Sequence, residues 1–365
     1  MRNGKLFRAA GPRRWRASEV EVLHASRVRH SAAARLALPP VPIDFHPGTE
    51  TELDELWQMH DAALASRVGA AAKGPGRRPR RMPSLLSLKA QIARRLLRGC
   101  VCCEHRCGVD RTSAGRGVCS IGEITRLHFA GLLVTEEDEI SPSFCLFPSG
   151  CNFSCVFCCA AEDNAHPERG EPLFAEALDE WLALPDNAQA RTISLIGGEP
   201  TVHLHALLRA VAELRSPLPL AWNSNFYFSH ETARLLEGVV DFYIADCHYG
   251  SDQCAERLGG APDHSAIITR NLLWAVERSP LILRHLVLPG HMDCCTRPVL
   301  EWAAAHLDAA VHVMCNYVPP PGGAPPGELG RALTAREIKE ALECASDLGI
   351  NLIARASPGS VNPRS

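Results

Sequence analysis

The 365-residue sequence predicts an α/β fold: a partial (β/α)6 barrel behind an N-terminal helical and cysteine-rich extension. Three observations predict it. From residue 143 onward, short apolar runs alternate with longer helical segments, the pattern of β-α-β units and a parallel sheet. There are six such units, each with a candidate site residue near the strand's C-terminal end, where α/β barrels keep their chemistry. None of the sixteen cysteines precedes Cys100, and ten of them fall in two groups, Cys100 to Cys119 and Cys145 to Cys159. A doubly wound open sheet is the alternative, and it would place a ligand at the same strand edge.

Residues 1–82 read as a basic, partly disordered and helical extension. Residues 50–68 have helical periodicity, with Leu53, Leu56, Trp57 and Leu64 on one side. Gly and Pro interrupt residues 73–81, KGPGRRPRR. Residues 84–97 form a second amphipathic helix inside a cysteine-rich leader, residues 83–142. The barrel takes residues 143–358. Its strands are predicted at 144–148, 192–196, 218–223, 241–246, 281–288 and 311–318. Helices are predicted at 173–184, 204–215, 231–238, 264–278 and 297–307. A last helix at 335–348 precedes a short strand at 351–354. No internal repeat is present.

Apolar content is that of a globular chain, and no run approaches the 18 apolar residues of a membrane span. The N-terminus lacks the apolar core of a secretory signal, which leaves a cytoplasmic location as the expectation and an Arg-rich transit peptide as the weaker alternative. Sixteen cysteines then point to metal or redox use rather than disulfides. Charge is uneven: residues 1–99 carry 19 Lys and Arg against 8 Asp and Glu, while the rest carries 19 against 33. A basic head can bind nucleic acid. A solvated leader is the better reading here, because aromatic residues are not interleaved for base stacking.

Gly150 opens the run GCNFSCVFC, which sets Cys151, Cys155 and Cys158 at C-x3-C-x2-C. Zinc prefers four ligands, commonly in two pairs. A tight triplet instead suits a [4Fe–4S] cluster with one iron left open to a small molecule. With Phe157 just before the third cysteine, the run resembles the signature of the radical S-adenosylmethionine (SAM) superfamily. That resemblance implies that the open iron chelates SAM, that one electron cleaves SAM to a 5′-deoxyadenosyl radical, and that the radical abstracts a substrate hydrogen.

The other strand ends extend the likeness. Gly197-Gly198-Glu199-Pro200 resembles the run that contacts the SAM amino group in this superfamily, which implies that Glu199 holds the ammonium. The paired glycines would let a ligand approach the backbone. Asn223 and Ser224 suit a ribose or carboxylate. Asp246-Cys247-His248 stands where the glycyl-radical activating enzymes, to which this region is most similar, carry Asp-x-Lys. His248 is shorter, titrates near neutrality, and can still donate to a carboxylate. Arg284 starts a run, through Pro289-Gly290-His291, similar to one in those enzymes. Amid Leu-Ile-Leu its guanidinium needs a partner, and a ligand is preferred over an internal salt bridge. Asn316 and Tyr317 are placed to face substrate.

Cys100, Cys103, Cys107 and Cys119, at C-x2-C-x3-C-x11-C, can close a zinc site or hold a second [4Fe–4S] cluster. Cys102 is an extra thiol, and spacing favours Cys103. The set resembles the leader of a subset of pyruvate formate-lyase activating enzyme-like proteins, and the likeness runs from about Cys100 to Val318. Cys145, Cys247, Cys254, Cys315 and Cys344 read as small buried hydrophobes. Cys294-Cys295 is a weak candidate for a redox pair.

The reading is a radical SAM enzyme of the glycyl-radical activating type. Its partners would be SAM, a flavodoxin- or ferredoxin-like electron donor, and a glycyl-radical enzyme or peptide substrate, with no membrane. The alternatives are another peptide- or metabolite-modifying radical SAM enzyme, and a zinc- or cluster-bearing regulator of nucleic acid.

Overall fold

A computed structural model describes residues 50–70, 84–320 and 327–353, with no side chains for 66–70. The rest of the basic head, the 73–81 run and Ala354 lie outside the described residues. Six parallel strands form the scaffold: β2 (Ser143–Pro148), β4 (Thr192–Leu195), β5 (Leu220–Ser224), β6 (Phe242–Asp246), β7 (Leu281–Leu286) and β8 (Ala310–Met314). They pair in that order, and two antiparallel strands extend the β2 edge: β1 (Arg126–Leu133), which pairs with β2, and β3 (Glu171–Pro172), which pairs with β1. The eight-stranded sheet is open, as a partial barrel requires.

Alternate residues along each strand define two faces. Phe144, Leu146, Ile193, Leu195, Leu220, Trp222, Tyr243, Leu281, Leu283 and Val311 join one large core with the crossover helices. These helices are α4 (Ala177–Leu182), α5 (Leu204–Glu213), α6 (His230–Leu236), α7 (Asp252–Gly259), α8 (His264–Val276) and α9 (Arg297–His306); the short α3 (Ala161–Ala165) buries none of its residues. The opposite, helix-free face is mixed. Ile140, Ala221, Phe242, Ile244, Ile282 and Ala310 make a small apolar floor there. Past that floor the same face carries Asp246, Arg284 and His312 in register, Asp246 beside Arg284 and Arg284 beside His312. A charged row above an apolar floor, at the carboxyl ends of parallel strands, is where a ligand site belongs.

The extension and leader are not separate bodies in their described parts. Helices α1 (Leu53–Ala70) and α2 (Leu85–Leu96) place Leu56, Ala63, Leu85, Leu88 and Ile92 in the main core. Lys89 is fully buried, and its ammonium donates to the carbonyls of Arg234, Leu235 and Glu237 at 2.7, 3.1 and 3.0 Å. A cation on the last carbonyls of α6 satisfies groups that the helix leaves open. The expected boundary at residue 143 also passes through the sheet, since β1 of the leader pairs with β2. A final helix, α10 (Ala335–Asp347), is capped at its start by a capping box between Thr334 and Glu337. Leu352 then bridges in parallel to Val311.

Candidate active site at the strand ends

The triplet loop leaves β2 through Gly150, whose φ of +98° is open mainly to glycine. Two backbone bonds brace it, Ser154 N–H to Gly259 O and Val156 N–H to Leu258 O, both 2.9 Å. Each thiol meets a donor. Phe153 N–H reaches Cys151 Sγ at 3.3 Å, Tyr249 O–H reaches Cys155 Sγ at 3.0 Å, and Asn164 Nδ2 reaches Cys158 Sγ at 3.5 Å. The thiols also stand close enough for the charge of each to act on the others. Burial, then the Glu199 and Cys155 charges, raises Cys151. Burial pushes Cys155 up to about 12 despite the Tyr249 hydroxyl, and raises Cys158 as well. Three convergent thiols that resist ionisation alone, each with a donor aimed at sulfur, fit a bound metal centre whose positive charge makes them thiolates. Neither compact donor group among the described residues that could hold a single ion includes any of the three.

The Gly197-Gly198-Glu199 turn lies directly on this loop. Gly198 N–H donates to Pro148 O at 3.0 Å and Glu199 N–H to Gly150 O at 3.1 Å. A Cβ on Gly198 would collide with the Gly150 carbonyl and Asn164 Oδ1, and one on Gly197, at φ +93°, with Pro148. The paired glycines therefore admit the protein's own cysteine loop, where the sequence suggested a ligand. Glu199 is 1% exposed. Its carboxylate accepts from Thr201 N–H, Ser224 O–H and Asn225 N–H at 3.0, 2.7 and 2.8 Å. No cationic side chain pairs with it among the described residues, and burial raises its pKa against those three donors. Ser224 is thus spent on Glu199, and Phe226 N–H takes its oxygen at 3.0 Å. Asn223 is buried on the helix-free face.

Asp246 sits in a recess, its side chain 29% exposed, and burial pushes its carboxyl up to about 7 although Arg284 opposes the shift. His248 differs from the sequence expectation. Burial, then the charges of His285 and Arg284, lowers it to about 3, so the ring is neutral at pH 7. Leu286 N–H donates to its Nδ1 at 3.2 Å, which leaves the ring proton on Nε2. It can donate from there, but not as a cation. The Phe157 ring lies 6.2, 6.0 and 6.4 Å from those of His248, Tyr249 and Tyr317. Tyr249, which touches a triplet sulfur, was invisible as one tyrosine in a polar loop.

Arg284 forms an internal ion pair instead of waiting for a ligand. Its Nε donates to Glu137 Oε1 at 2.6 Å, a second bond joins the same carboxylate, and Asp246 lies 3.9 Å away. His312 Nδ1 is 2.9 Å from Glu137 Oε1. Glu137 is fully buried. Burial alone would raise it, but the Arg284 charge and the His312 bond outweigh that and hold it at about 2. The two later candidates also have protein partners: Asn316 donates to Glu136 at 3.1 Å and Tyr317 to Leu329 O at 2.7 Å.

The leader gathers five thiols. Cys100, Cys102, Cys103 and Cys119 are buried and Cys107 is half-buried. Among them lies Arg111, 1% exposed. It donates to Gly122 O and Val202 O at 2.9 and 2.8 Å and to Cys100 Sγ at 3.7 Å, while its Nε has no partner. Its charge acts on Cys102, Cys119 and Cys100. Cys102 and Cys103 both belong to the group, so the spacing argument for Cys103 does not separate them.

At the carboxyl ends of an open, mostly parallel α/β sheet, a cysteine triplet adjoins a buried glutamate that pairs with no cation among the described residues, an arrangement suited to an enzyme that holds a metal cluster and a cationic ligand. Residues 146–303 match the radical SAM superfamily. The uncharacterized protein MJ0674 of Methanocaldococcus jannaschii is 35% identical over 309 residues, covering 83% of this chain and 90% of that protein. The chain belongs to the radical SAM superfamily and is an enzyme of that kind. Among solved structures, Streptococcus suis SuiB is similar over 57% of this chain and 48% of its own, at 15% identity and a TM-score of 0.40. SuiB bound to the precursor peptide SuiA is similar over 80% and 60%, at 11% identity and a TM-score of 0.43. This chain spans about half the length of SuiB, and likeness at such scores carries no functional argument. No described helix is long and apolar enough to cross a membrane.

Proposed function

We propose that Cys151, Cys155 and Cys158 hold a [4Fe–4S] cluster, and that SAM binds beside it with its ammonium against Glu199. The observation that carries this is the Glu199 carboxylate, buried against the triplet loop with three donors and, among the described residues, no cation. Such a group is costly unless a positive ligand joins it. When bound, the cluster and SAM would supply a 5′-deoxyadenosyl radical. The chain's own residues orient and shield: Tyr249, Asn164 and the Phe153 amide support the sulfurs, Phe157 and Tyr317 wall the pocket, and Asp246 and the Nε2 of His248 offer polar contacts. Asn223 completes the rim, Gly197-Gly198 seat the triplet loop beside it, and the Arg284–Glu137 pair braces the far side.

For the substrate, the reading remains the glycyl-radical activating type, with hydrogen taken from a glycine backbone of a partner protein and electrons from a flavodoxin- or ferredoxin-like donor. The sequence likeness of the Arg284 to His291 run supports it, although Arg284 itself pairs with Glu137. The leader would hold a second [4Fe–4S] cluster or zinc on Cys100, Cys103, Cys107 and Cys119. Four thiolates there carry net negative charge even when metallated, and Arg111 is a buried cation that no carboxylate pairs with among the described residues. Anaerobic reconstitution and reduction with SAM test the first reading: 5′-deoxyadenosine forms, and Cys155→Ala abolishes it. A glycyl radical seen by electron paramagnetic resonance on a candidate partner supports the subtype. A modified peptide in its place would move the chain to the peptide-modifying reading.

A further inference from the structure

Away from the triplet and the leader, four donors converge. The ligand atoms of Cys254, His291, Cys294 and Cys295 all lie within 4.8 Å of one another. His291 Nδ1 is 3.9 Å from Cys254 Sγ, 3.2 Å from Cys294 Sγ and 3.9 Å from Cys295 Sγ. Zinc bonds sulfur at about 2.3 Å and imidazole nitrogen at about 2.0–2.1 Å, so a tetrahedral site spaces its donors about 3.6–3.8 Å apart. The observed distances bracket that spacing. Cys3His is an established structural zinc set. Cys254, His291 and Cys295 are buried and Cys294 is half-buried, so the centre would be closed to substrate.

Local structure explains the convergence. His291 precedes a π-turn, Met292–Thr296, in which the amides of both Cys295 and Thr296 reach the His291 carbonyl, at 3.0 and 3.2 Å. Residues three and four further on then share a face with His291. Single π-turns recur at functional sites. The fourth donor comes from α7, in a different crossover. Gly250 lets the two segments touch, because a Cβ there would collide with the backbone of Cys294 and Cys295. A zinc ion with three thiolates carries one net negative charge, and the Arg257 guanidinium is near enough to act on both Cys254 and His291.

We propose that Cys254, His291, Cys294 and Cys295 form a tetrahedral zinc site that fastens the β6 and β7 crossovers together and, through α7, braces the triplet loop. The path is short. The α7 carbonyls of Leu258 and Gly259 accept the Val156 and Ser154 amides, and Tyr249, beside Gly250, touches Cys155. The site accounts for the histidine of the Pro-Gly-His run, which here faces thiols. It also makes Cys254 more than a buried hydrophobe and Cys294-Cys295 ligands rather than a redox pair. It does not depend on the identity of the substrate or on SAM binding.

The test is metal analysis of the anaerobically purified full chain. Cys254→Ser with Cys294→Ser should lower zinc by one equivalent per chain relative to wild type, whatever the leader holds. Unchanged zinc, or iron in place of zinc as the metal that is lost, overturns the proposal. Should that variant fail to fold, wild type decides. Chelation should speed alkylation of Cys294 at least tenfold and lower the melting temperature, and added zinc should reverse both. Equal alkylation rates before and after chelation, or a disulfide among the three cysteines of the anaerobic chain, overturns it.

Discussion

Ser224 donates its hydroxyl to Glu199 across 2.7 Å, so two side chains that the sequence assigns to separate ligand contacts serve each other. The carboxylate that would meet a cationic cofactor is thereby fixed before the cofactor arrives. Preorganised charge of this kind costs little reorganisation on binding.

The first prediction concerns that pair. Ser224→Ala leaves Glu199 with two donors and an easier path to protonation. Losing a hydrogen bond to a charged group costs about 1.5–3 kcal/mol. SAM affinity should therefore fall roughly tenfold or more, at about 1.4 kcal/mol per decade. Glu199→Gln should cost at least as much. Titration calorimetry with SAM reads both. Wild-type affinity in Glu199→Gln would remove Glu199 from the ammonium site.

The second concerns Gly198. Its missing side chain lets the strand-end turn rest on Gly150. Gly198→Ala drives a Cβ into backbone, which cannot rotate away, and overpacking of this sort costs about 1–3 kcal/mol. The expected result is a chain that still folds, since the main core is untouched, yet holds fewer irons after reconstitution. Full iron content would show that the contact is dispensable.

The third concerns Tyr249, whose hydroxyl donates to Cys155 Sγ. Hydrogen bonds to cluster sulfurs help set reduction potential. They stabilise the more negative, reduced state, so Tyr249→Phe should shift the potential downward and slow 5′-deoxyadenosine formation. A spectroelectrochemical titration gives the sign directly, and an upward shift would refute the assignment.

Much of this architecture was legible. The six parallel strands stand out because each is buried on both faces and bounded by Pro, Gly or a helix start, and Thr192, Phe242 and Leu281 begin strands within two residues of expectation. Strand β1 was missed because most of its residues are only half-buried and do not alternate cleanly between buried and exposed. Helix α7 was missed because Leu258 is its one large apolar residue, so no apolar stripe marks it in the sequence. The need of Arg284 for a partner was readable from its apolar neighbours, but the partner was not. Glu137 lies in the acidic run 136–139, which looks like solvated surface, and only the fold buries one of those acids. Cys254 and His291 are 37 residues apart, and no spacing rule joins them.

The Glu137–Arg284 pair gives the fourth prediction. Removing one partner of a buried pair costs about 3–5 kcal/mol, because the other charge is left alone. Glu137→Gln should destabilise by that order, and Glu137→Gln with Arg284→Met should recover part of the loss. The pH sign follows from a folded value of about 2 against an ordinary 4.5. The contribution is present above pH 4.5 and is lost as pH falls toward 2. Wild type should therefore lose stability across that window faster than the double variant does, which denaturant melts at several pH values would measure.

The last prediction turns on Asp246, which works in the opposite sense. Its folded value of about 7 lies above the ordinary 3.8, because burial outweighs the nearby Arg284. Between those values the folded chain holds a proton that the unfolded chain has released. Its contribution to stability is full below pH 3.8 and declines as pH rises through 7, at up to about 1.4 kcal/mol per pH unit. The carboxylate form also suits a cationic cofactor, so SAM affinity should rise between pH 6 and 8 as stability falls. Asp246→Asn should flatten both trends. Binding isotherms and thermal melts across that range would test them together, and a wild-type affinity that does not change with pH would take Asp246 out of the pocket.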